Sequence, residues 1–256
     1  MPDWRRPWFA PLQAQGEAVW HLAQTLPVAQ ALQQGQHHAG PRFVPQDDLP
    51  EGRPYETHVF ETGQVPTRDN PHDLFNGLVW LGYPKAKSRV NELQATQIRH
   101  EGVQPVRGPM RDALTLLDEN GALLLAPDAL WQALRGRHWR TLFVDLRPMW
   151  QQAQLLVFGH ALLEKLLAPR KDLTAHVYLP REPWPHSHSS LAQVDAWLAH
   201  DLTPQHLRAK PFTPLPVMGV PGWCDGNRNF SFYDDSLVFR PPRRQNDTTA
   251  RPPGDP

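Results

Sequence analysis

His160 and Glu164 are the residues for which the sequence most strongly predicts chemistry. They lie four positions apart in a helix predicted over residues 149–167, whose apolar residues point in nearly every direction. A helix that is apolar on all sides is usually buried, and residues four apart share one stripe of its surface. Buried ionisable groups need partners or change their pKa. We therefore predict an acid–base pair with His160 as catalytic acid or base; the alternative is a structural hydrogen bond in the core.

A second candidate surface lies on the helix predicted over residues 71–82. Asp69 or Asn70 can cap this helix, and Pro71 suits its first turn. Apolar residues form one face, and the opposite stripe combines short polar side chains with aromatic ones. Such a stripe suits a ligand-binding wall, although a covering loop would favour it too. We assign Asp73 to orienting the catalytic histidine and the rest of the stripe to substrate binding: Asn76, Trp80 and Tyr83.

The segment RDALTLLDENGALLLAP places an acidic turn between two apolar runs. Because Asn-Gly is a strong turn signal, we predict a β-hairpin with its turn at 118–121. Arg111 and Asp112 are assigned to substrate binding. Asp112, Asp118 and Glu119 could instead bind a divalent cation, as a metal-dependent nuclease requires, but the hairpin interpretation is favoured.

The segment GVPGWCDGNRNFSFYDD is rich in glycine and aromatic residues. A long loop of this composition often lines a site, although it could also be an aromatic staple that closes the domain. A short hairpin turn is predicted at 234–236. The substrate-binding residues assigned to this loop are Trp223, Asn227, Tyr233, Asp234 and Asp235.

Metal and cofactor chemistry has little support in the sequence. His186 and His188 could share a metal if they lay on a strand, but the surrounding prolines favour a loop. The single cysteine, Cys224, excludes an intrachain disulfide and a cysteine-rich zinc site. No P-loop, HExxH motif or nucleophile elbow occurs. We assign no metal ligands, and the sequence leaves open whether a metal binds; the cofactor is unknown.

The composition narrows the class of partner. Basic and acidic side chains number 26 each, whereas nucleic-acid-binding proteins usually carry a basic excess. No apolar stretch reaches the roughly 20 residues that span a bilayer, and the first residues do not form a secretory signal. We expect a cytoplasmic protein that binds a small polar ligand, without nucleic acid or membrane; the oligomeric state is left open.

The remaining elements alternate irregularly. Further helices are predicted in GEAVWHLAQTLP, KAKSRVNELQATQIRHEG, DALWQALRGRH and SLAQVDAWLAHDL, and strands in YETHVF, WRTLFVDLRP and LTAHVYLP. The 29 prolines predict long irregular connections. We predict an α+β fold, with helices packed on a small, mainly antiparallel sheet. Residues 1–242 are expected to form a single domain, followed by a disordered tail over 243–256.

Four sequence blocks together resemble one known family. They are DLFNGLVWLGYPKAKSRVNELQ, RDALTLLDENG, FGHALLEKLLAPRKDLTAH and LPVMGVPGWCDGN…FYDDSLVFRP. Over roughly residues 40–242 they resemble the chiefly proteobacterial family called domain of unknown function 3025, with a departure at Cys224. The resemblance implies a cytoplasmic bacterial protein and no assigned activity.

Three functions remain open at this point. The first is an enzyme of hydrolase or transferase type that uses the His160/Glu164 pair on a small polar substrate. The second is a non-enzymatic module that binds a ligand or a protein. The third, with weaker support, is the metal-dependent nuclease.

Overall fold

A computed structural model describes residues 2–36, 40–102, 108–182 and 189–242. The predicted tail over 243–256 and the histidine pair His186 and His188 lie outside these ranges. None of the described helices is both long and apolar enough to cross a membrane.

Helices make up most of the described structure, with short 3₁₀ segments between some of them. The α-helices are α1 (Gln13–Leu22), α2 (Val28–Gln34), α3 (Tyr55–Thr62), α4 (Pro71–Gly82), α5 (Pro84–Glu101), α6 (Pro109–Asn120), α7 (Asp128–Arg135), α8 (His160–Lys165), α9 (Leu191–Asp201) and α10 (Pro204–Arg208).

The strands form two small sheets. They are β1 (Arg42–Pro45), β2 (Gln64–Thr67), β3 (Gly121–Leu125), β4 (Gln154–Val157), β5 (Thr174–Tyr178) and β6 (Phe212–Pro216). β1 and β2 pair in parallel, and the larger sheet has the order β4-β3-β5-β6. Its outer pairs are antiparallel and its central pair, β3 with β5, is parallel. The prediction of an α+β fold is therefore confirmed.

The boundary between α4 and α5 follows the predicted signals. The Asn70 side chain accepts a hydrogen bond from the Asp73 backbone N–H at 2.8 Å, and Pro71 occupies the first turn. Pro84 begins α5, which ends at Gly102 with a positive φ of 71°. These residues confirm the predicted bounds: Asn70 satisfies and the prolines remove a backbone N–H that has no partner inside the helix, and glycine permits the positive φ after the last turn of α5.

The predicted hairpin over 111–126 is wrong. The chain instead forms α6, which runs directly into β3 at Gly121. The buried residues of the helix have helical spacing: Met110, Ala113, Leu114 and Leu117. Asn-Gly here ends a helix instead of turning a hairpin, because packing of this apolar face outweighs the local turn preference.

The long helix predicted over 149–167 is also wrong. A 3₁₀ helix over Arg147–Gln152 is followed by β4 and then by the short helix α8. The run QLLV pairs with β3, and a short apolar run cannot be assigned to helix or strand by periodicity alone. His160 and Glu164 still share one helix, α8.

Three shorter assignments are wrong as well. YETHVF lies in α3, which ends at Gly63 in the left-handed conformation that favours glycine. WRTLFVDLRP contains a π-helical turn over Thr141–Asp145, and the predicted hairpin near 234–236 is a 3₁₀ helix over Phe230–Asp234. Strand β5 and helix α9, with its cap at Ser190, agree with the predictions.

Candidate functional site

A close backbone contact brings α8 to the end of α6. The Gly159 N–H donates to the Gly121 carbonyl at 2.8 Å. A Cβ on Gly159 would lie 2.5 Å from backbone atoms of Glu119, Asn120 and Gly121. Only glycine permits this approach. It places His160, the first residue of α8, beside the acidic residues that end α6.

Two imidazoles face each other at this point. The Nε2 atom of His160 lies 3.0 Å from the Nε2 atom of His72, which comes from α4. The rings are nearly perpendicular, with centroids 4.5 Å apart. The His160 side chain is 6% exposed, whereas that of His72 is 34% exposed. The pair thus has one buried member and one that can reach solvent.

Carboxylates surround the two rings. Glu164 Oε2 lies 2.9 Å from Nδ1 of His72. Asp118 Oδ2 lies 3.8 Å from Nδ1 of His160, and Glu119 Oε2 lies 3.7 Å from its Nε2. Nδ1 of His160 is buried and makes no hydrogen bond within the described part of the chain. Each ring therefore has a carboxylate beside the nitrogen that faces away from the other ring.

The surroundings shift the pKa values of three groups. Burial lowers the pKa of His160 to about 4, although the Asp118 carboxylate opposes this effect. Burial raises the pKa of Glu119, and the nearby Asp118 carboxylate adds to the rise. Burial would raise the pKa of Asp118, but the charge of Lys87 and both imidazoles bring it below its usual range. At neutral pH, His160 is therefore uncharged and Asp118 is ionised.

A buried lysine, Lys87, forms an ion pair with Asp118. The Lys87 side chain is 4% exposed, and its ammonium donates to Asp118 Oδ1 and, at 2.8 Å, to Asn76 Oδ1. The ammonium also lies 5.4 Å from the centre of the Trp80 ring. Asn76 Nδ2 donates to the Tyr55 hydroxyl oxygen at 3.3 Å. This network fixes one wall of the site.

Arg68 and Asp73 lie at the opening. Asp73 is buried and accepts from the Arg68 backbone N–H at 2.7 Å and from the Arg68 guanidinium at 2.9 and 3.2 Å. Because the Arg68 side chain is 60% exposed, the N–H groups it does not use for Asp73 can meet a ligand.

Most of these groups border one pocket of about 330 Å³, whereas Lys87, Trp80 and Glu164 are not among its lining residues. Its lining comes from helices α3, α4, α5, α6 and α8, from the segment before α3 and from Arg68, which precedes α4. The lining residues are Gln46, Leu49, Tyr55, Glu56, Arg68, His72, Asp73, Asn76, Gln94, Thr115, Asp118, Glu119 and His160. The volume suits a small ligand.

The pocket also contains the donor types of a metal site. His72, Glu119 and His160 each offer one ligand atom, and these atoms all lie within 4.8 Å of one another. The residues that could form a metal site come from three separate helices, α4, α6 and α8.

Part of the predicted site is brought together. His160, Asp73 and Asn76 line the pocket, and Glu164 contacts it through His72. The expected partners differ, however. Glu164 pairs with His72 and not with His160, while Asp73 pairs with Arg68.

The aromatic residues of the α4 stripe do not form an open wall. Trp80 is 5% exposed and Tyr83 is fully buried, with the Tyr83 ring 5.3 Å from Phe158. On α6, Asp112 pairs with Lys210 at 3.1 Å, and neither it nor Arg111 lines the pocket.

The segment GVPGWCDGNRNFSFYDD contributes no residue to the lining of the pocket. Asn227 is fully buried and its amide donates to the Met218 and Val220 carbonyls at 2.9 and 2.8 Å. The Tyr233 hydroxyl donates to the Gly219 carbonyl at 2.9 Å. Trp223 packs on Trp8, Asp235 pairs with Lys171, and Asp234 is exposed. These contacts match the alternative interpretation of the loop as an aromatic staple.

The sequence did not point to Tyr55, His72 or Lys87, and it offered Asp118 and Glu119 only as a hairpin turn or as cation ligands. One signal for His72 was available. It lies four residues before Asn76 on α4, so it continues the polar stripe by one turn. No comparable signal marked Lys87, because its burial depends on contacts with other helices.

The fold and the pocket define an α+β protein with an imidazole–carboxylate centre. The chain belongs to the family described as "Protein of unknown function (DUF3025)", whose model matches residues 41–243. The resemblance seen in the sequence blocks is thereby confirmed. Comparison with curated proteins and with solved structures gives no match.

Proposed function

We propose that the chain is an enzyme of hydrolase or transferase type that acts on a small polar substrate in the pocket. The observation that carries this proposal is the convergence of His72, His160 and Glu119 on one point of the pocket. Interacting titratable groups in a cleft are typical of catalytic sites. A purely structural cluster is usually closed off and fully hydrogen-bonded, whereas His72 and Glu119 are each about one-third exposed.

The reactive centre would be the space between the two Nε2 atoms and Glu119. In the metal-free protein this space can hold a proton, shared between rings 3.0 Å apart. Glu164 contacts Nδ1 of His72 and so fixes the orientation of the ring. Nε2 of His72 is thereby kept directed at the space between the two rings. Protons could then pass between the centre and a bound substrate.

The polar side chains that line the pocket would bind and orient that substrate. The Tyr55 hydroxyl oxygen accepts from Asn76, so its own O–H can donate to a ligand. Arg68 at the opening can bind a polar or anionic group with the donors that Asp73 leaves unused. Gln94 adds an amide to the lining. Most of the lining is polar, which favours a polar substrate.

We also propose a bacterial origin and a cytoplasmic location. The whole sequence has one cysteine, and disulfide-free chains are the rule in the reducing cytoplasm. The family resemblance supports the bacterial origin.

The test combines a ligand screen with one variant and its control. A metabolite at a hundred times its Kd adds about 2.7 kcal/mol to stability, which raises the Tm by roughly 5–11 °C for a chain of this size. Hits would be assayed for hydrolysis and group transfer. His72→Gln should lower kcat/KM at least 100-fold, while His200→Gln, an exposed histidine on α9, should leave it unchanged. An active His72→Gln variant would contradict the proposal.

The two other functions make different predictions for this screen. A binding module would give thermal shifts without turnover. The metal-dependent nuclease was based on Asp112, Asp118 and Glu119, and Asp112 lies outside the pocket lining. Cleavage of nucleic acid by the wild type but not by His72→Gln would favour a nuclease centred on the histidines.

A further inference from the structure

We infer that His72, Glu119 and His160 bind one divalent transition-metal ion. The inference concerns the reactive centre of the proposed enzyme, and only the catalytic use of the metal rests on that proposal. Metal binding itself follows from the geometry of the three side chains.

The distances fit a metal site. Two ligand atoms at about 2.1 Å from a tetrahedral metal lie about 3.4 Å apart. The Nε2 atoms of His72 and His160 are 3.0 Å apart, and Glu119 Oε2 is 3.7 Å from the second of them. Both values lie within about 0.4 Å of that spacing. Small rotations of the side chains would therefore complete the coordination.

The carboxylates behind the rings fit as well. A histidine that binds a metal usually donates its other ring N–H to a carboxylate or carbonyl. Glu164 lies 2.9 Å from Nδ1 of His72, and Asp118 lies 3.8 Å from Nδ1 of His160. Lys87 holds the Asp118 carboxylate in place from the other side. His72 thus has the outer partner that a ligand histidine needs, whereas the carboxylate nearest to Nδ1 of His160 lies beyond hydrogen-bond distance.

When both rings are uncharged, neither tautomer of His160 satisfies both of its ring nitrogens. In one tautomer, the proton of His160 is on Nδ1. Its Nε2 lone pair then faces the Nε2 lone pair of His72, because His72 carries its own proton on Nδ1, toward Glu164. If Nε2 carries the proton, the lone pair on Nδ1 faces the Asp118 carboxylate and is buried without a hydrogen bond inside the described ranges. Either a proton shared between the two Nε2 atoms or a metal ion in the same place removes this conflict.

The donor set indicates the kind of metal. Two imidazole nitrogens and one carboxylate oxygen suit Zn²⁺, Fe²⁺ or Mn²⁺, whereas Ca²⁺ and Mg²⁺ prefer all-oxygen sites. Three protein ligands beside an open pocket leave a coordination position for water or substrate, as catalytic zinc sites do. In a hydrolase such a metal would activate water, and hydrolysis adds that water across the cleaved bond with no redox partner.

The experiment measures metal binding directly. Protein purified without a polyhistidine tag is freed of metal with a chelator, dialysed, and titrated with Zn²⁺ and Mn²⁺ by calorimetry. Bound metal is counted by mass spectrometry. Co²⁺ serves as the optical probe, because its visible absorption reports the coordination geometry. We expect one metal per chain and an absorption spectrum typical of nitrogen and oxygen ligands.

The variants separate ligands from neighbours. His72→Gln, His160→Gln and Glu119→Gln should each weaken binding more than 100-fold. Glu164→Gln and Asp118→Asn, behind the rings, should weaken it about 10- to 100-fold. His200→Gln should bind like the wild type. The partly exposed His72 and Glu119 are the decisive positions, because their variants are expected to keep the native circular dichroism spectrum even if His160→Gln does not.

Two results would overturn the inference. One is a stoichiometry near zero for all three ions at millimolar concentration. The other is unchanged affinity in both His72→Gln and Glu119→Gln. Catalysis that survives chelation would also contradict a catalytic metal while leaving the proposed enzyme intact. Conversely, tight metal binding without turnover of any substrate would contradict the proposed enzyme and leave the metal site standing.

Discussion

The Nε2 atom of His72 lies 3.0 Å from the Nε2 atom of His160, although the two residues are 88 positions apart in the chain. Each ring has a carboxylate beside its other nitrogen, Glu164 for His72 and Asp118 for His160. Helix α8 packs against both α4 and α6, and so brings these four groups together. The predictions below test what holds this arrangement in place.

The buried ion pair of Lys87 and Asp118 should be sensitive to loss of one partner. Lys87→Met leaves the Asp118 carboxylate without its counter-ion, and breaking a buried pair in this way costs about 3–5 kcal/mol. Urea denaturation would measure the loss. The double variant Lys87→Met/Asp118→Asn should recover most of it, because no unpaired charge remains. Lys85→Met, at an exposed position of the same helix, should change stability by less than about 0.5 kcal/mol.

The contact at Gly159 should tolerate no side chain. An added Cβ would lie 2.5 Å from three backbone atoms at the end of α6, and these atoms cannot move as a flexible side chain would. We expect Gly159→Ala to cost about 2–3 kcal/mol and to weaken any ligand at His160, because α8 must shift. Denaturant unfolding and the Co²⁺ titration would show both effects. Gly226→Ala, whose nearest contacts are 3.4 Å away, is the matched control; equal losses in both variants would contradict the argument.

Local signals in the sequence predict some elements well and others poorly. The cap at Asn70 and the proline at 84 define α4 and α5 because they act on the helix ends directly. The Asn-Gly at 120–121 is compatible with two structures, and the choice depends on what the apolar face of α6 packs against. Strand β4 is recognisable only through its pairing with β3. Tertiary contacts of this kind are not visible in a single sequence.

The same limit applies to the candidate site. Burial and i,i+4 spacing pointed to His160 and Glu164 before the structure was known. Their partner His72 could not be paired with them, because it comes from a distant helix. Glu119 has the residue type of a cation ligand, but the sequence predicts it in a hairpin turn, whereas it lies in helix α6. The sequence thus indicated one element of the site, and the fold supplied the others.

The contacts of Asn227 predict a structural role. Asn227→Ala leaves the Met218 and Val220 carbonyls without their donor and removes a hydrogen bond from Arg147. Because these groups are buried, we expect a loss of about 2–4 kcal/mol in unfolding free energy. Turnover per folded molecule should stay the same, since the residue does not line the pocket. Asp225→Ala, at an exposed position in the same loop, should be neutral. A stable but inactive Asn227→Ala variant would contradict the structural role and support the substrate-binding role predicted from the sequence.

Finally, the depressed pKa of His160 predicts how stability depends on pH in metal-free protein. Its pKa is about 4 in the folded state and about 6.5 when unfolded. Between these values the unfolded chain binds more protons, so stability is full above pH 6.5 and falls as the pH drops toward 4. For this one group the loss from pH 7 to pH 5 is about 2 kcal/mol. The groups that face the ring are Asp118, Lys87, His72 and Glu119.

The measurement for His160 is urea denaturation at pH 7, 6 and 5 in the presence of a chelator. The wild type should lose about 2 kcal/mol more over this range than His160→Gln, because glutamine has no proton to gain. His200→Gln, at an exposed position on α9, should follow the wild type. If the His160→Gln and wild-type curves run parallel, the pKa of His160 is the same in the folded and the unfolded protein, and burial does not lower it.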